Sequence, residues 1–167
     1  MVLATTSAPS QLMLSESVEP VRGTVHFCPE RFVPIDTTTA EGCLETTIPG
    51  SWTKQSDAQW GSYIFQLPTT TSSSEPVALY FHQILSAYRL FIDGIEYASA
   101  GTPASSYLES REMTAVNIVN LKTDGEVVHV VLWVSSHPYF RKGLVHSFMA
   151  GPQEAVHKVR RARLISE

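Results

Sequence analysis

Charged residues are scarce in this 167-residue chain, where Asp, Glu, Lys and Arg together make up 17%, against roughly 25% in a typical globular protein. The 16 acidic residues outnumber the 12 basic ones, so the net charge is −4 with the histidines neutral. Domains that bind nucleic acid are usually strongly basic, and no apolar run approaches the roughly 18 residues of a membrane span. We therefore expect one mostly non-helical domain with no nucleic-acid partner.

The motifs of several large enzyme classes are also missing. The sequence has no GxSxG nucleophile elbow, no HExxH zinc motif, no GxxxxGKS/T phosphate loop and no GxGxxG fingerprint. A glycosidase needs two facing carboxylates, and Asp93, Glu96, Glu109 and Glu112 are explained more simply as turn formers or solvated edge charges. The histidines show no His-x-His pair that would indicate a metal site. We expect no enzymatic activity, no metal and no cofactor.

Cysteine is rare, and its two positions leave two structures open. Cys28 and Cys43 enclose 14 residues. A disulfide across a loop of that size stabilises a fold by roughly 3 kcal/mol. The alternative is a pair of buried free thiols, because free cysteine is among the most buried residue types.

The two ends of the chain differ from its middle. Residues 1–10 (MVLATTSAPS) lack the basic start and apolar stretch of a signal peptide, so either the protein is cytosolic or the sequence starts after a removed signal. We predict an N-terminal arm over residues 1–20, a folded domain over 21–151 and a basic tail over 152–167. The tail has weak helical spacing and is either a solvated terminal element or a segment beside anionic lipid or a membrane span.

The middle of the chain has the pattern of an all-β protein. Short runs rich in Val, Ile, Tyr, Phe and Thr alternate with turn residues, and Asp93-Gly94 is typical of a two-residue hairpin. Both faces of residues 127–135 are apolar, which favours a central strand. The pattern predicts about nine strands, over residues 22–28, 43–48, 61–67, 77–84, 87–93, 95–99, 114–120, 127–135 and 145–150. This indicates a β-sandwich or jelly roll with little helix.

Aromatic and hydrogen-bonding side chains gather near the ends of the predicted strands, and this favours a binding function. Trp52 and Trp60 flank a polar loop (TKQSDAQ) and are either core residues or exposed rings, whereas Trp133 is expected to pack in the core. Aromatic rings offer apolar faces to sugar C–H groups, while Arg, Glu and His supply oriented hydrogen bonds to hydroxyls. The candidate ligand-binding residues are Tyr88, Arg89, Glu109, Arg111, His137, Tyr139 and Arg141. Successive strand residues point to opposite faces, so if Tyr88 is in the core then Arg89 is the better contact.

Six segments, taken in order, resemble one family. They are residues 22–27 (RGTVHF), 48–52 (IPGSW), 60–68 (WGSYIFQLP), 87–94 (AYRLFIDG), 130–136 (VVLWVSS), and 141–144 (RKGL) followed by Ala150-Gly151. Their order resembles the extracytoplasmic type-two domain of bacterial seven-transmembrane receptors with diverse intracellular signalling modules (7TMR-DISM). Those domains are similar to galactose-binding jelly rolls and to the sugar-binding domain of some glycoside hydrolases. The stretch 136–139 departs from the pattern, because an asparagine is expected after the Val-Ser strand.

The resemblance implies a periplasmic jelly roll that senses a carbohydrate-like small molecule. It implies two further partners, a membrane segment and a cytoplasmic signalling module, and tethering to the inner membrane. A periplasmic location would favour a bond between Cys28 and Cys43 and would make the basic tail a tether. Two alternatives remain open: an accessory carbohydrate-binding module of a glycoside hydrolase, and a module that recognises another protein through an exposed apolar patch.

Overall fold

The computed structural model of the chain describes Leu12, Leu14 and residues 16–53, 55–82, 87–106, 109–110, 116–136, 144 and 148–166. Over these residues the chain forms ten strands and one helix. The strands are β1 (Glu19–Pro20), β2 (Gly23–Pro29), β3 (Leu44–Ile48), β4 (Trp60–Pro68), β5 (Val77–Phe81), β6 (Ala87–Ile92), β7 (Ile95–Ala100), β8 (Asn117–Asn120), β9 (Val127–Ser135) and β10 (Met149–Pro152). The helix, α1, is Gln153–Ser166.

The strands form two antiparallel sheets that face each other across one core. The larger sheet has the order β3-β2-β4-β9-β6-β7 and the smaller sheet the order β1-β10-β5-β8. Alternate residues of both sheets point inward, so Phe65 and Leu90 of the larger sheet share a buried cluster with Leu79 and Phe81 of the smaller. The predicted β-sandwich is confirmed.

Two local predictions hold in detail. Strand β9 lies between β4 and β6 in the larger sheet, and apolar residues cover both of its faces, as the sequence indicated. The β6–β7 turn has positive φ at both central residues, 49° at Asp93 and 79° at Gly94. This is the backbone of a type I′ hairpin.

Three predicted strands are shorter at one end over the described residues, because His82, Val116 and Phe148 are not strand. Strand β5 ends at Phe81, β8 begins at Asn117 and β10 begins at Met149, so the predicted extensions to residues 84, 114 and 145 are not strand where they are described. The pairing explains two of these limits, because the β5–β8 ladder ends at the Phe81–Asn117 pair.

Part of the predicted arm belongs to the sandwich. Residues Glu19–Pro20 form β1, which pairs with β10. Leu12 is buried in the core, and its backbone N–H donates to the carbonyl of Gln66 at 3.0 Å. The apolar side chains in this otherwise polar stretch explain the difference, because burying a leucine stabilises by roughly 1.5–3 kcal/mol.

The basic tail folds back as α1 instead of leading away from the sandwich. Val156 is fully buried against Ala78 and Tyr80 on the outer face of the smaller sheet. Near the helix end, the Arg163 guanidinium donates to His82 Nδ1 at 2.7 Å and lies over the Tyr80 ring. Among the described residues, no helix is long and apolar enough to cross a membrane.

Candidate functional site

The connection between β2 and β3 covers the outer face of the larger sheet, and we call residues 30–43 the strap. A disulfide between Cys28 and Cys43 closes its base. The Ser62 hydroxyl of β4 donates to the carbonyl of Arg31 at 2.6 Å and accepts from the N–H of Val33 at 3.1 Å. Val33 is buried against Ile64, Phe91 and Val131. The strap is therefore fixed by a covalent bond, by hydrogen bonds and by an apolar anchor.

Beside the strap, partly exposed aromatic rings form a surface. The Phe32 ring centroid lies 4.6 Å from that of Trp60 and 5.1 Å from that of Trp133, and all three side chains are half-buried. The Trp133 Nε1–H donates to the carbonyl of Val33 at 2.9 Å, which fixes the orientation of the indole. Trp133, expected in the core, instead packs on the outer face because β9 turns its odd-numbered residues away from the sandwich interior.

A charged pair adjoins these rings. Arg89 Nε and Nη2 donate to the two carboxylate oxygens of Glu96 at 3.0 and 2.8 Å. The guanidinium carbon lies 5.2 Å from the ring centroid of Phe91 and 5.3 Å from that of Trp133. The side chains of Arg89 and Glu96 are 38% and 39% exposed. We call Phe32, Trp60, Arg89, Phe91, Glu96 and Trp133 together the aromatic ledge.

The β6–β7 hairpin brings the charged pair together. Its two-residue turn places Glu96 opposite Phe91, and Arg89 lies two residues before Phe91, on the same face of β6. A bulge follows, because Leu90 pairs with Ala98 and Tyr97 is the extra residue. Tyr97 and Ala98 both pack against the core, so the bulge turns two consecutive side chains inward.

The hydrogen bonds from Arg89 lower the pKa of Glu96, and those to Glu96 raise the pKa of Arg89. A carboxyl whose pKa is lowered by folding stabilises the fold above its unfolded pKa, and this contribution disappears as the pH falls through the folded pKa. For a pair this exposed, we expect a coupling free energy of about 0.2–1 kcal/mol at pH 7, decreasing toward zero in acid.

Urea unfolding of Arg89→Gln, Glu96→Gln and the double variant at several pH values measures this coupling free energy. A coupling that stayed constant from neutral pH to below the folded pKa of Glu96 would contradict the ion pair.

The structure separates Tyr88 and Arg89, two of the predicted ligand contacts. Tyr88 is buried with Leu90 and Ile92, and its hydroxyl accepts from Asn117 Nδ2 at 2.8 Å, so Tyr88 is removed from the candidate set. Arg89 faces outward beside the aromatic rings. The predicted alternation, with Tyr88 in the core and Arg89 on the opposite face of β6, is therefore observed.

Of the remaining predicted contacts, Glu109 lies within the described residues. Glu109 is exposed in a turn whose backbone N–H bonds to the carbonyl of Ser106. Its neighbour Ser110 lies within 2.7 Å of Ser135, hydroxyl to hydroxyl, at the end of β9. Arg111, His137, Tyr139 and Arg141 lie outside the described residues. Within the described part of the chain, no group of three or more His, Cys, Asp or Glu side chains has an arrangement that could hold a metal ion.

Sequence reasoning missed Phe32, Phe91 and Glu96 as members of the ledge and placed Trp133 in the core. Glu96 was considered only as a possible catalytic carboxylate. A two-residue turn at Asp93-Gly94 already places it on the same face of the sheet as Arg89. Phe32 gave no signal, since the strap has no periodic pattern.

No protein-family model and no curated protein matches the sequence. Solved structures match its fold. A β-glucuronidase from Ruminococcus gnavus has a TM-score of 0.53 at 13% identity, over 80% of this chain and 28% of that one. One from an uncultured Clostridium sp. has a TM-score of 0.53 at 9% identity, over 92% and 31%. One from Faecalibacterium prausnitzii has a TM-score of 0.52 at 12% identity, over 81% and 22%.

This chain spans less than a third of the length of each of those three proteins. At these identities the likeness is one of fold. It places the chain among β-sandwich domains, in agreement with the two-sheet architecture.

Proposed function

We propose that this chain is a non-catalytic carbohydrate-binding domain that serves as the extracytoplasmic input domain of a bacterial membrane receptor. The aromatic ledge carries the proposal, because it holds oriented rings beside a guanidinium and a carboxylate. Rings of this kind bind the apolar faces of sugars, and charged groups make strong hydrogen bonds to hydroxyls. Three solved structures that share its fold are named β-glucuronidases, which supports a carbohydrate as the ligand class.

The ledge suits a neutral saccharide. Arg89 uses two of its five N–H donors on Glu96, so donors remain for a ligand, and each oxygen of Glu96 can accept a second hydrogen bond. The pair has no net charge. One sugar ring lying across the ledge would therefore meet a donor and an acceptor side by side, which matches two neighbouring hydroxyls.

The same pair argues for binding without hydrolysis. Glycosidases need a protonated carboxylic acid and a second carboxylate across the scissile bond. Glu96 is the one carboxylate among the six residues of the ledge, and Arg89 lowers its pKa. A carboxyl held ionised in this way is unsuited to act as a general acid near neutral pH.

The disulfide supports an extracytoplasmic location, since such bonds form and persist mainly in oxidising compartments. The output in this proposal is α1, which packs on the smaller sheet on the opposite side of the sandwich from the ledge. A ligand that binds one arrangement of the strap better than another shifts the populations of both arrangements. The receptor would transmit that shift through the pose of α1 to its membrane segment and cytoplasmic signalling module.

The likeness to domains of β-glucuronidases favours one second candidate, an accessory carbohydrate-binding module of a glycoside hydrolase. Both candidates predict saccharide binding at the ledge. They differ in what the complete gene encodes beside this domain. The receptor predicts membrane-spanning helices there, and the accessory module predicts a catalytic domain.

A thermal-shift screen against neutral mono- and oligosaccharides tests the shared prediction. A ligand at 100 times its Kd should add about 2.7 kcal/mol of stability, or roughly 5–11 °C for a domain of this size. Arg89→Ala should weaken binding by about tenfold or more, because it removes charge-assisted hydrogen bonds.

The matched control is Arg161→Ala, an exposed arginine of α1 on the opposite side of the sandwich, which should bind like the unaltered protein. Equal loss of binding in both variants would contradict a site at the ledge. No shift with any saccharide would contradict the ligand class and favour recognition of a protein partner.

A further inference from the structure

A cleft of about 230 Å³ lies between the β6–β7 hairpin and the β8–β9 connection. Its lining residues are Ile92, Asp93, Ile95, Tyr97, Leu121, Lys122, Asp124, Gly125, Val127 and Val128. It lies apart from the aromatic ledge, because its floor is formed by residues of the sandwich core and the ledge is on the outer face. Unlike the ledge, the cleft combines an apolar floor with a charged rim.

The floor of the cleft is apolar. Ile92, Leu121 and Val128 are core residues, and Tyr97, the extra residue of the bulge, forms part of the wall. Ile95 stands at the start of β7 and is 57% exposed. A branched or aromatic side chain entering the cleft would bury apolar surface on the ligand and on the protein.

The rim of the cleft is charged, with two carboxylates and one ammonium group. Asp93 Oδ1 accepts from the backbone N–H of His129 at 2.9 Å, which fixes the carboxylate while its second oxygen has no partner among the described residues. Lys122 and Asp124 are exposed, and neither forms an ion pair with any described residue. Both kinds of charge are therefore available to a ligand.

We propose that this cleft binds a free apolar amino acid. The side chain would lie on the floor of Ile92, Leu121 and Val128. The ammonium group would face Asp93 and Asp124, and the carboxylate would face Lys122. The volume suits one small molecule, since clefts that take larger ligands span roughly 300–1,000 Å³.

Isothermal titration calorimetry of the full chain with L-leucine tests the proposal. Two analogues separate the charges: isoamylamine lacks the carboxylate, and 4-methylpentanoate lacks the ammonium group. We expect leucine to bind and each analogue to bind at least about tenfold more weakly. For D-glucose, a neutral molecule whose proposed site is the ledge, any binding should be unchanged by the Asp93→Asn/Asp124→Asn and Lys122→Gln substitutions in the cleft.

Variants locate the site. Asp93→Asn/Asp124→Asn and Lys122→Gln should each weaken leucine binding at least about tenfold, and asparagine tolerates the positive φ of residue 93. Glu41→Gln, an exposed change on the strap, is the matched control and should bind leucine normally. Thermal unfolding without ligand checks that each variant is folded.

Three results would overturn the proposal. They are the absence of leucine binding at millimolar concentrations, leucine binding that the Asp93/Asp124 variant leaves unchanged, and glucose binding that the cleft variants weaken as much as leucine binding.

Discussion

Replacing Trp52 with alanine should lower the free energy of unfolding by about 3–5 kcal/mol, the range measured for large-to-small changes at buried aromatic positions. The side chain is completely buried. Its ring stacks on Phe27 with centroids 4.0 Å apart, and its Nε1–H donates to the carbonyl of Ala58 at 2.7 Å. Alanine would leave a cavity and an unpaired buried carbonyl group.

Urea unfolding measures this loss, which corresponds to a fall in Tm of roughly 6–20 °C for a domain of this size. Trp60→Ala is the matched control, because Trp60 lies at the other end of the same loop and is partly exposed. The control should lose distinctly less stability. Equal losses at the two positions would mean that the burial of Trp52 does not determine its contribution.

Removing the disulfide should cost about 3 kcal/mol. Cys28 and Cys43 are 15 residues apart in sequence, and cross-linking a loop of that length restricts the unfolded chain by about this amount. We expect the Cys28→Ala/Cys43→Ala variant to unfold at lower urea concentration. A reducing agent should lower the stability of the unaltered protein to a similar level.

The variant without cysteines is also the control for the reducing agent, which should leave its unfolding curve unchanged. Because the strap carries Phe32 and the carbonyl that holds Trp133, saccharide binding at the ledge should weaken together with stability. If the reduced protein were as stable as the oxidised protein, the strap would not depend on its covalent closure.

The sandwich was predictable because strands leave a period of two in the sequence. The hairpin at Asp93-Gly94 was predictable because few residue pairs accept positive φ twice, and the central position of β9 because both of its faces are apolar. The same period separated Tyr88 from Arg89. The approach of Arg89 to Glu96 was within reach of the same reasoning, since the turn type determines which residues of the two strands are opposite.

Other features depend on contacts between distant parts of the chain. The strap has no periodicity, so neither its path over Ile64 and Val131 nor the position of Phe32 beside Trp133 follows from its sequence. The burial of Leu12 does not follow from the sequence either, because it depends on contacts with residues far along the chain. The docking of α1 depends on Val156 meeting Tyr80, a contact that weak helical spacing alone does not specify.

The bulge at Tyr97 reduces the tendency of the molecule to self-associate through its sheet edge. Strand β7 forms one edge of the larger sheet, and an open edge offers backbone N–H and C=O groups on which another chain can add a strand. The shift of register between Leu90 and Phe91 interrupts that row of groups in the middle of β7. Restoring a regular ladder there would leave an uninterrupted edge and increase the tendency of the protein to self-associate.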